Sequence, residues 1–257
     1  MNGKFQGKVV LVTGGSRGIG KAIAERFYTE GATVAITYLN HFEDAKDLLR
    51  KYPEIMVEKC DVRVRTSVSH AVNSIVEKTK SIDLIINSAG VMITGKFTDF
   101  DEEVYRTTMD TNLKGIIYVV LETFPFLKRS KNAAIINIAS NAGIGTAMPG
   151  TTLYAISKAG VIMLTKRLAY EFADDRIRVN AIAPGWVETD MTVQGKSQDE
   201  IDNIKRYFKS HSTTGRTGVV QDVASAAIYL ASEESSFMNG QVLVIDGGRT
   251  DNLTHSI

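Results

Sequence analysis

The chain has 257 residues, 44% of them hydrophobic and 23% charged, with a formal net charge of +1. That balance suits an α/β protein with a sizeable core and excludes a global field aimed at nucleic acid or an anionic membrane. The single cysteine, Cys60, excludes an internal disulfide, and no Cys/His cluster has zinc-ligand spacing. No metal site is therefore expected, and a reducing, cytoplasmic setting is. The apolar run in the opening MNGKFQGKVVLVTGG is too short for a signal-peptide core. The longest uncharged stretch, Asn132 to Ser157, is broken by Asn, Ser, Thr, Gly and Pro149, so no membrane span is expected.

In chain order, a valine-rich run from Val9 to Val12 predicts a first strand that ends in a glycine-rich turn. Ile19, Ala22, Ile23 and Phe27 then recur at helical spacing, and Gly31 ends that helix. TVAIT (33–37) is a second strand, and EIMVEKCDV (54–62) a third, after a helix over Glu43 to Lys51. DLIINSAG (83–90), AAIINIAS (133–140), IRVNAIAP (177–184) and QVLVIDGG (241–248) are the fourth to seventh. Helical patterns separate them throughout. Short, continuously apolar strands alternating with helices imply βαβ units and a parallel sheet covered on both faces. The expected fold class is α/β: one domain over 1–257, doubly wound, with about seven parallel strands. Ligands would then sit at the carboxyl ends of the strands.

The turn after the first strand reads Thr13-Gly14-Gly15-Ser16-Arg17-Gly18-Ile19-Gly20. Gly14 permits the tight turn, Gly18 lets the backbone approach a pyrophosphate, and Gly20 lets helix pack closely on strand. The helix start offers free N–H groups and positive dipole to phosphates. A plain βα turn also favours glycine, but the position inside the first βαβ unit points to a dinucleotide. A site preferring NAD usually places an acid after the second strand, for the ribose 2′-hydroxyl. Thr37-Tyr38-Leu39-Asn40-His41 has none before Glu43, whereas Arg17 lies in the loop where it could meet a 2′-phosphate. The expected cofactor is NADP(H) in preference to NAD(H).

In LYAISKAGVIMLT (153–165), Tyr154 and Lys158 are the phenol and the ammonium of an otherwise apolar helix. As i and i+4 they share a face, with Cβ atoms about 6 Å apart. A positive charge about 5 Å from the phenol, at an effective dielectric of about 20, favours the phenolate by roughly 3 kcal/mol, or about two pKa units. The lysine is thus expected to tune the tyrosine into an acid/base. A buried anchor beside a snorkelling lysine would look the same in isolation.

The pair is not isolated. In order along the chain stand the Thr13–Gly20 loop, Asp61-Val62, Asn87-Ser88-Ala89-Gly90, Asn112, Ser140, Tyr154 with Lys158, Pro184-Gly185 with Thr189, and Asp246-Gly247-Gly248. With these the chain resembles the short-chain dehydrogenase/reductases over nearly its whole length, of the type that includes β-ketoacyl carrier-protein reductases and glucose 1-dehydrogenases. Ser88 departs from the pattern, where Asn is usual. The resemblance implies a Rossmann fold and four catalytic residues. Ser140 would hydrogen-bond the substrate carbonyl, Tyr154 would exchange the proton, and Lys158 would lower the tyrosine pKa and bind the nicotinamide ribose. Asn112 would hold a water linking Lys158 to solvent. It also implies cofactor contacts from Gly14, Ser16, Arg17, Gly18, Ile19 and Gly20, then from Tyr38, Asn40, Asp61 and Val62. Asn87, Ala89 and Gly90 would line the adenosine side, and Pro184, Gly185, Val187 and Thr189 the nicotinamide side.

Residues around 187–215 would form a substrate lid. Ala142, Gly143, Met148, Trp186 and Met191, with Ser140 and Tyr154, are the candidate substrate residues; they lack the polar cluster that a sugar site would want. The expected substrate is a small-molecule carbonyl or alcohol, foremost an apolar ketone. Aldose 1-dehydrogenase, 3-oxoacyl carrier-protein reductase and an NADP-binding regulator without turnover are the alternatives. Pro125 and Asp175 stand near the positions where carrier-protein reductases carry basic residues, although Lys128, Arg129 and Lys131 lie close by. Ile156, Ala159 and Met163 lie off the face formed by Val161, Leu164 and Leu168, and a second apolar stripe asks for a second partner. With the apolar stretch LKGIIYVVLETFPFL before it, this predicts a homo-oligomer, and the resemblance points to a homotetramer.

Overall fold

The computed structural model describes residues 3–40, 42–145 and 148–251. Its sheet has seven strands, all parallel: β1 (Val9–Thr13), β2 (Thr33–Tyr38), β3 (Met56–Lys59), β4 (Leu84–Asn87), β5 (Ala134–Ile138), β6 (Arg178–Pro184) and β7 (Val242–Ile245). Their spatial order is β3-β2-β1-β4-β5-β6-β7, so the chain reverses direction between β1 and β4. The third strand is shorter than expected, ending at Lys59 rather than Val62.

Strand periodicity of two feeds a core on each face. Val10, Val12, Ile36, Ile86 and Ile136 pack beneath α1 (Gly18–Thr29), α2 (Phe42–Lys51) and α9 (Val220–Ala231). Val9, Leu11, Ile85 and Ile135 pack beneath α3 (Arg65–Thr79), α5 (Gly115–Leu127) and α6 (Thr152–Glu171). The remaining helices are α4 (Glu102–Met109), α7 (Asp190–Val193) and α8 (Gln198–Ser210). A single π-helical turn, Asp110–Lys114, joins α4 to α5.

Two polar devices hold the frame. Arg178 crosses to the end of α9, where Nη1 donates to Leu230 O at 2.9 Å and Nη2 to Ser232 O at 3.2 Å, capping carbonyls that the helix leaves open. On the α6 face, Asn87 donates to Asn137 at 2.8 Å, and Asn137 to Thr165 of α6 at 2.9 Å, all three side chains buried. Outside the cores, Ile117 and Leu121 of α5 and Ile156 and Met163 of α6 are exposed. No helix among the described residues is long and apolar enough to cross a membrane.

Candidate active site

The carboxyl ends of the strands open into a cleft of about 470 Å³. Its floor is the glycine loop. Gly14 adopts φ +64°, and a Cβ there would meet Ala89 Cα at 2.8 Å; Thr13 Oγ1 accepts from the amides of Ser88 and Ala89, both at 3.1 Å. A Cβ on Gly20 would lie 2.3 Å from Gly14 O, so only glycine lets α1 start so close to β1. Ser16, Gly18 and Ile19 also line the cleft, so the start of α1, whose first N–H groups have no partner within the helix, lies at its wall, as a pyrophosphate site requires.

Tyr38, Asn40, Asp61, Val62, Ala89 and Gly90, the residues expected around an adenosine, all line the cleft; His41 lies outside the described residues. The Asp61 carboxylate, however, is engaged by Arg63, whose Nε donates at 2.9 Å and Nη2 at 2.7 Å. These bonds hold the carboxyl below the usual carboxylate range. Arg63 itself lines the cleft, a second cation besides Arg17. Arg17 lines the mouth and pairs with Asp190 of α7 at 3.8 Å. Asn87 corrects the reading above: it does not line the cleft. Ile85 faces α6, so Asn87, two residues on, faces the same way and is buried in the amide chain beneath that helix.

Ser140, Tyr154 and Lys158 come together on the cleft wall. Ser140 lies past the end of β5 and caps a short 3-10 turn, its Oγ accepting from Ala142 N at 3.1 Å, with the Tyr154 phenol near enough to feel its hydroxyl. Lys158 Nζ lies 5.7 Å from the Tyr154 ring centre and donates to Ile138 O at 2.8 Å. The expected two-unit lowering of the phenol is not found. Desolvation raises Tyr154 above its ordinary value, with Ser140 offsetting part, and burial pushes Lys158 down to about 8. The low-dielectric wall that strengthens the attraction between the pair also penalises each charge.

Asn112 sits in the π turn behind the cleft, not on its lining. Its Nδ2 donates to Val91 O at 2.9 Å and Ser157 Oγ at 3.0 Å, and its Oδ1 accepts from Val91 N at 2.8 Å. The side chain is therefore fully engaged in fixing the segment after Gly90, and any water would have to be held by the main chain of the turn. Gly90 brings the elements together: a Cβ there would lie 3.3 Å from Asn112 Oδ1 and 3.6 Å from Lys158 Nζ.

Pro184, Gly185, Val187 and Thr189 continue the lining on the far side, and Thr189 caps α7. Ala142, Met148, Trp186 and Met191, the candidate substrate residues, line the cleft, and Met92 lines it with them. Gly143 does not reach it, because its α-carbon packs against α6: a Cβ would meet Lys158 C at 2.6 Å. Polar groups are also present here, which the sequence reading missed: Asn141, Thr151 and Arg249. They are already engaged, Thr151 with Met148 O at 2.7 Å, Asn141 with Asp246 at 3.4 Å, and Arg249 with Asp251 through Nε at 2.5 Å. Phe208 of α8 completes the wall, stacked on Trp186 with ring centres 5.3 Å apart.

Residues 14–250 match the family model described as Enoyl-(Acyl carrier protein) reductase. The chain is 38% identical over 250 residues to the 3-oxoacyl-[acyl-carrier-protein] reductase FabG of Thermotoga maritima, covering 95% of this chain and 98% of that one. It is 36% identical to the oxidoreductase UcpA of Salmonella typhimurium, covering 96% of each. Among solved structures, the ligand-free aldohexose dehydrogenase of Thermoplasma acidophilum superposes with a TM-score of 0.88 at 32% identity, covering 98% of this chain and 97% of that one. A short-chain dehydrogenase of Burkholderia cenocepacia in complex with NADP does so with 0.87 at 31% identity, covering 95% and 98%. With the glycine loop, the Ser140–Tyr154–Lys158 wall and these likenesses over its whole length, the chain belongs to the short-chain dehydrogenase/reductase family of oxidoreductases that bind a nicotinamide cofactor.

Proposed function

We propose that the protein is an NADP(H)-dependent carbonyl reductase, or alcohol dehydrogenase in the reverse direction, acting on apolar ketones. The observation that carries this reading is the meeting of Ser140, Tyr154 and Lys158 on one wall of a cleft floored by the glycine loop. A nucleotide-binding regulator would have no use for that set. Two observations fit NADP(H): Arg17 and Arg63 both line the cleft, and no carboxylate follows β2 at Tyr38–Asn40. The groups needed to hold the cofactor are present: main-chain amides and Ser16 for the pyrophosphate, Arg17 for a 2′-phosphate, Lys158 for the ribose and Thr189 for the carboxamide. When bound, the cofactor supplies or accepts the hydride.

The chain's residues do the rest. Ser140 Oγ donates a hydrogen bond to the substrate oxygen and polarises the carbonyl. The Tyr154 hydroxyl, raised by burial and so fully protonated at neutral pH, donates its proton to that oxygen as negative charge develops there. Lys158 still carries its proton at neutral pH, because about 8 lies above 7, and its charge stabilises the phenolate left behind. Three methionines, Met92, Met148 and Met191, beside Trp186 and Phe208, suit a bulky apolar group that varies in shape. Thr151 and Arg249 are bonded within the protein, which speaks against an aldose.

A second reading, reduction of a 3-oxoacyl group on an acidic carrier protein, draws support from the FabG relatives. Against it stands Asp175, an acid near the position where a grip on the carrier would need a base, paired with Lys128 at 2.9 Å. Oxidation of NADPH followed at 340 nm with free ketones, aldoses and a carrier-linked 3-oxoacyl substrate tests both. Turnover of free apolar ketones supports the first reading, turnover confined to the carrier-linked substrate the second. Tight NADPH binding with no turnover of any would favour the regulator. For assembly, the exposed apolar residues on α5 and α6 support pairing of this helix face with its own copy, within a homotetramer.

A further inference from the structure

Arg249 follows β7 in sequence, far from the catalytic residues, yet it lines the cleft. Its guanidinium carbon lies 4.5 Å from the centre of the Phe208 ring, and Phe208 in turn stacks on Trp186 at 5.3 Å and 14°. The Arg249 side chain is only 5% exposed, and its partner Asp251 10%. Asp251 accepts from both Nε and Nη2 of Arg249, and from the Tyr207 hydroxyl at 3.0 Å. The joint is also sewn through the backbone: Thr213 N donates to Gly248 O and Thr250 N to His211 O, both at 3.1 Å. Breaking a buried ion pair leaves an uncompensated charge, so the two partners stay together, and the planar guanidinium so held presents one face to the Phe208 ring.

We propose that Arg249 is a positioning residue for substrate selection: it holds Phe208 against Trp186, and so sets the depth of the substrate end of the cleft. Asp251 fixes the plane of the guanidinium, the guanidinium fixes the ring of Phe208 at the last turn of α8, and that ring fixes the indole. The segment after β7 thereby decides how large a carbonyl substituent fits, without touching the reacting atoms. The inference rests on the reading of Trp186 as a wall of the substrate end.

The chain has one tryptophan, Trp186, so its fluorescence reports this wall directly. The test uses Arg249→Met, Arg249→Lys and Asp251→Asn in the full chain. For each, emission and acrylamide quenching of Trp186, NADPH affinity by calorimetry, and kcat and KM for a small and a bulky ketone are measured. In R249M, emission is expected to move to longer wavelength with stronger quenching. KM for the ketones is expected to rise about tenfold, with a changed ratio between small and bulky, and NADPH affinity to stay within about twofold. R249K, which keeps the charge over Phe208 but loses the planar fork, is expected to recover part of the difference. Wild-type emission and size selectivity in folded R249M would overturn the proposal. If R249M does not fold, R249K and D251N are read by the same criteria. If the wild type reduces no ketone, the functional reading fails, while emission and quenching still decide the placement of the wall.

Discussion

Lys158 donates to the main-chain carbonyl of Ile138 at 2.8 Å while only 5% exposed. Burial lowers its pKa from 10.5 to about 8. Between those values the unfolded chain binds the extra proton and the folded chain does not, so stability rises with pH through that window; below about 8 the full penalty applies. The penalty is on the order of 3 kcal/mol, net of the bond to Ile138, because the lowered pKa already contains every interaction of the folded ammonium. Lys158→Met is therefore expected to be more stable than wild type by up to about 3 kcal/mol at pH 7, with the advantage shrinking as pH rises towards about 10.5, and to lose 10²-fold or more in turnover. Thermal unfolding at both pH values checks this; a variant less stable than wild type at neutral pH would contradict the burial argument.

Tyr154→Phe is expected to fold, to bind NADP(H) as the wild type does, and to lose about 10²–10⁴-fold in turnover. Because desolvation raises the phenol, the wild-type rate of ketone reduction should not fall between about pH 6 and pH 8 for want of the proton. A variant with near wild-type turnover would remove Tyr154 from the mechanism.

Arg17 and Asp190 meet across the mouth of the cleft at 3.8 Å. A 2′-phosphate would compete with Asp190 for the guanidinium. Arg17→Ala is expected to lower kcat/KM for NADPH about tenfold or more and leave NADH nearly unchanged. Asp190→Asn should strengthen NADPH binding by a few-fold at most, since exposed pairs contribute about 0–1 kcal/mol. A wild-type preference for NADH, with both variants silent, would return Arg17 to the role of a loop charge.

Ile117 and Leu121 of α5 and Ile156 and Met163 of α6 are large apolar side chains with 37–56% exposure. Light scattering at micromolar concentration is expected to give about four times the 28.1 kDa of one chain. Leu121→Lys with Met163→Lys should lower that mass. A single-chain mass for the wild type would show that this face needs no partner.

The features legible in the sequence are those whose signal is local. Seven apolar runs gave the strands, glycines in one turn gave the cofactor floor, and Tyr154 with Lys158 lie one helical turn apart. Missed features join elements distant in the chain: Phe208 and Arg249 meet at the substrate end, yet each alone reads as an ordinary helix residue and a terminal charge. Arg63 lies two residues from Asp61, but nothing in their spacing says that the acid would be engaged. Asn87 was recoverable, since alternation from Ile85 already turns it away from the cleft. The π turn at Asp110–Lys114 leaves no such trace, because one extra residue in a helix does not disturb an apolar pattern enough to see.

The order of the elements along the chain also sets the order in which the two parts of the cleft are synthesised. Strands β1 to β5 carry the nucleotide floor and end before Ser140, whereas β7 and Arg249 emerge more than a hundred residues later. At 5–20 residues per second, that is a delay of roughly ten seconds. Until it ends, the glycine loop is already made while Arg249, which closes the wall behind Phe208 and Trp186, is not.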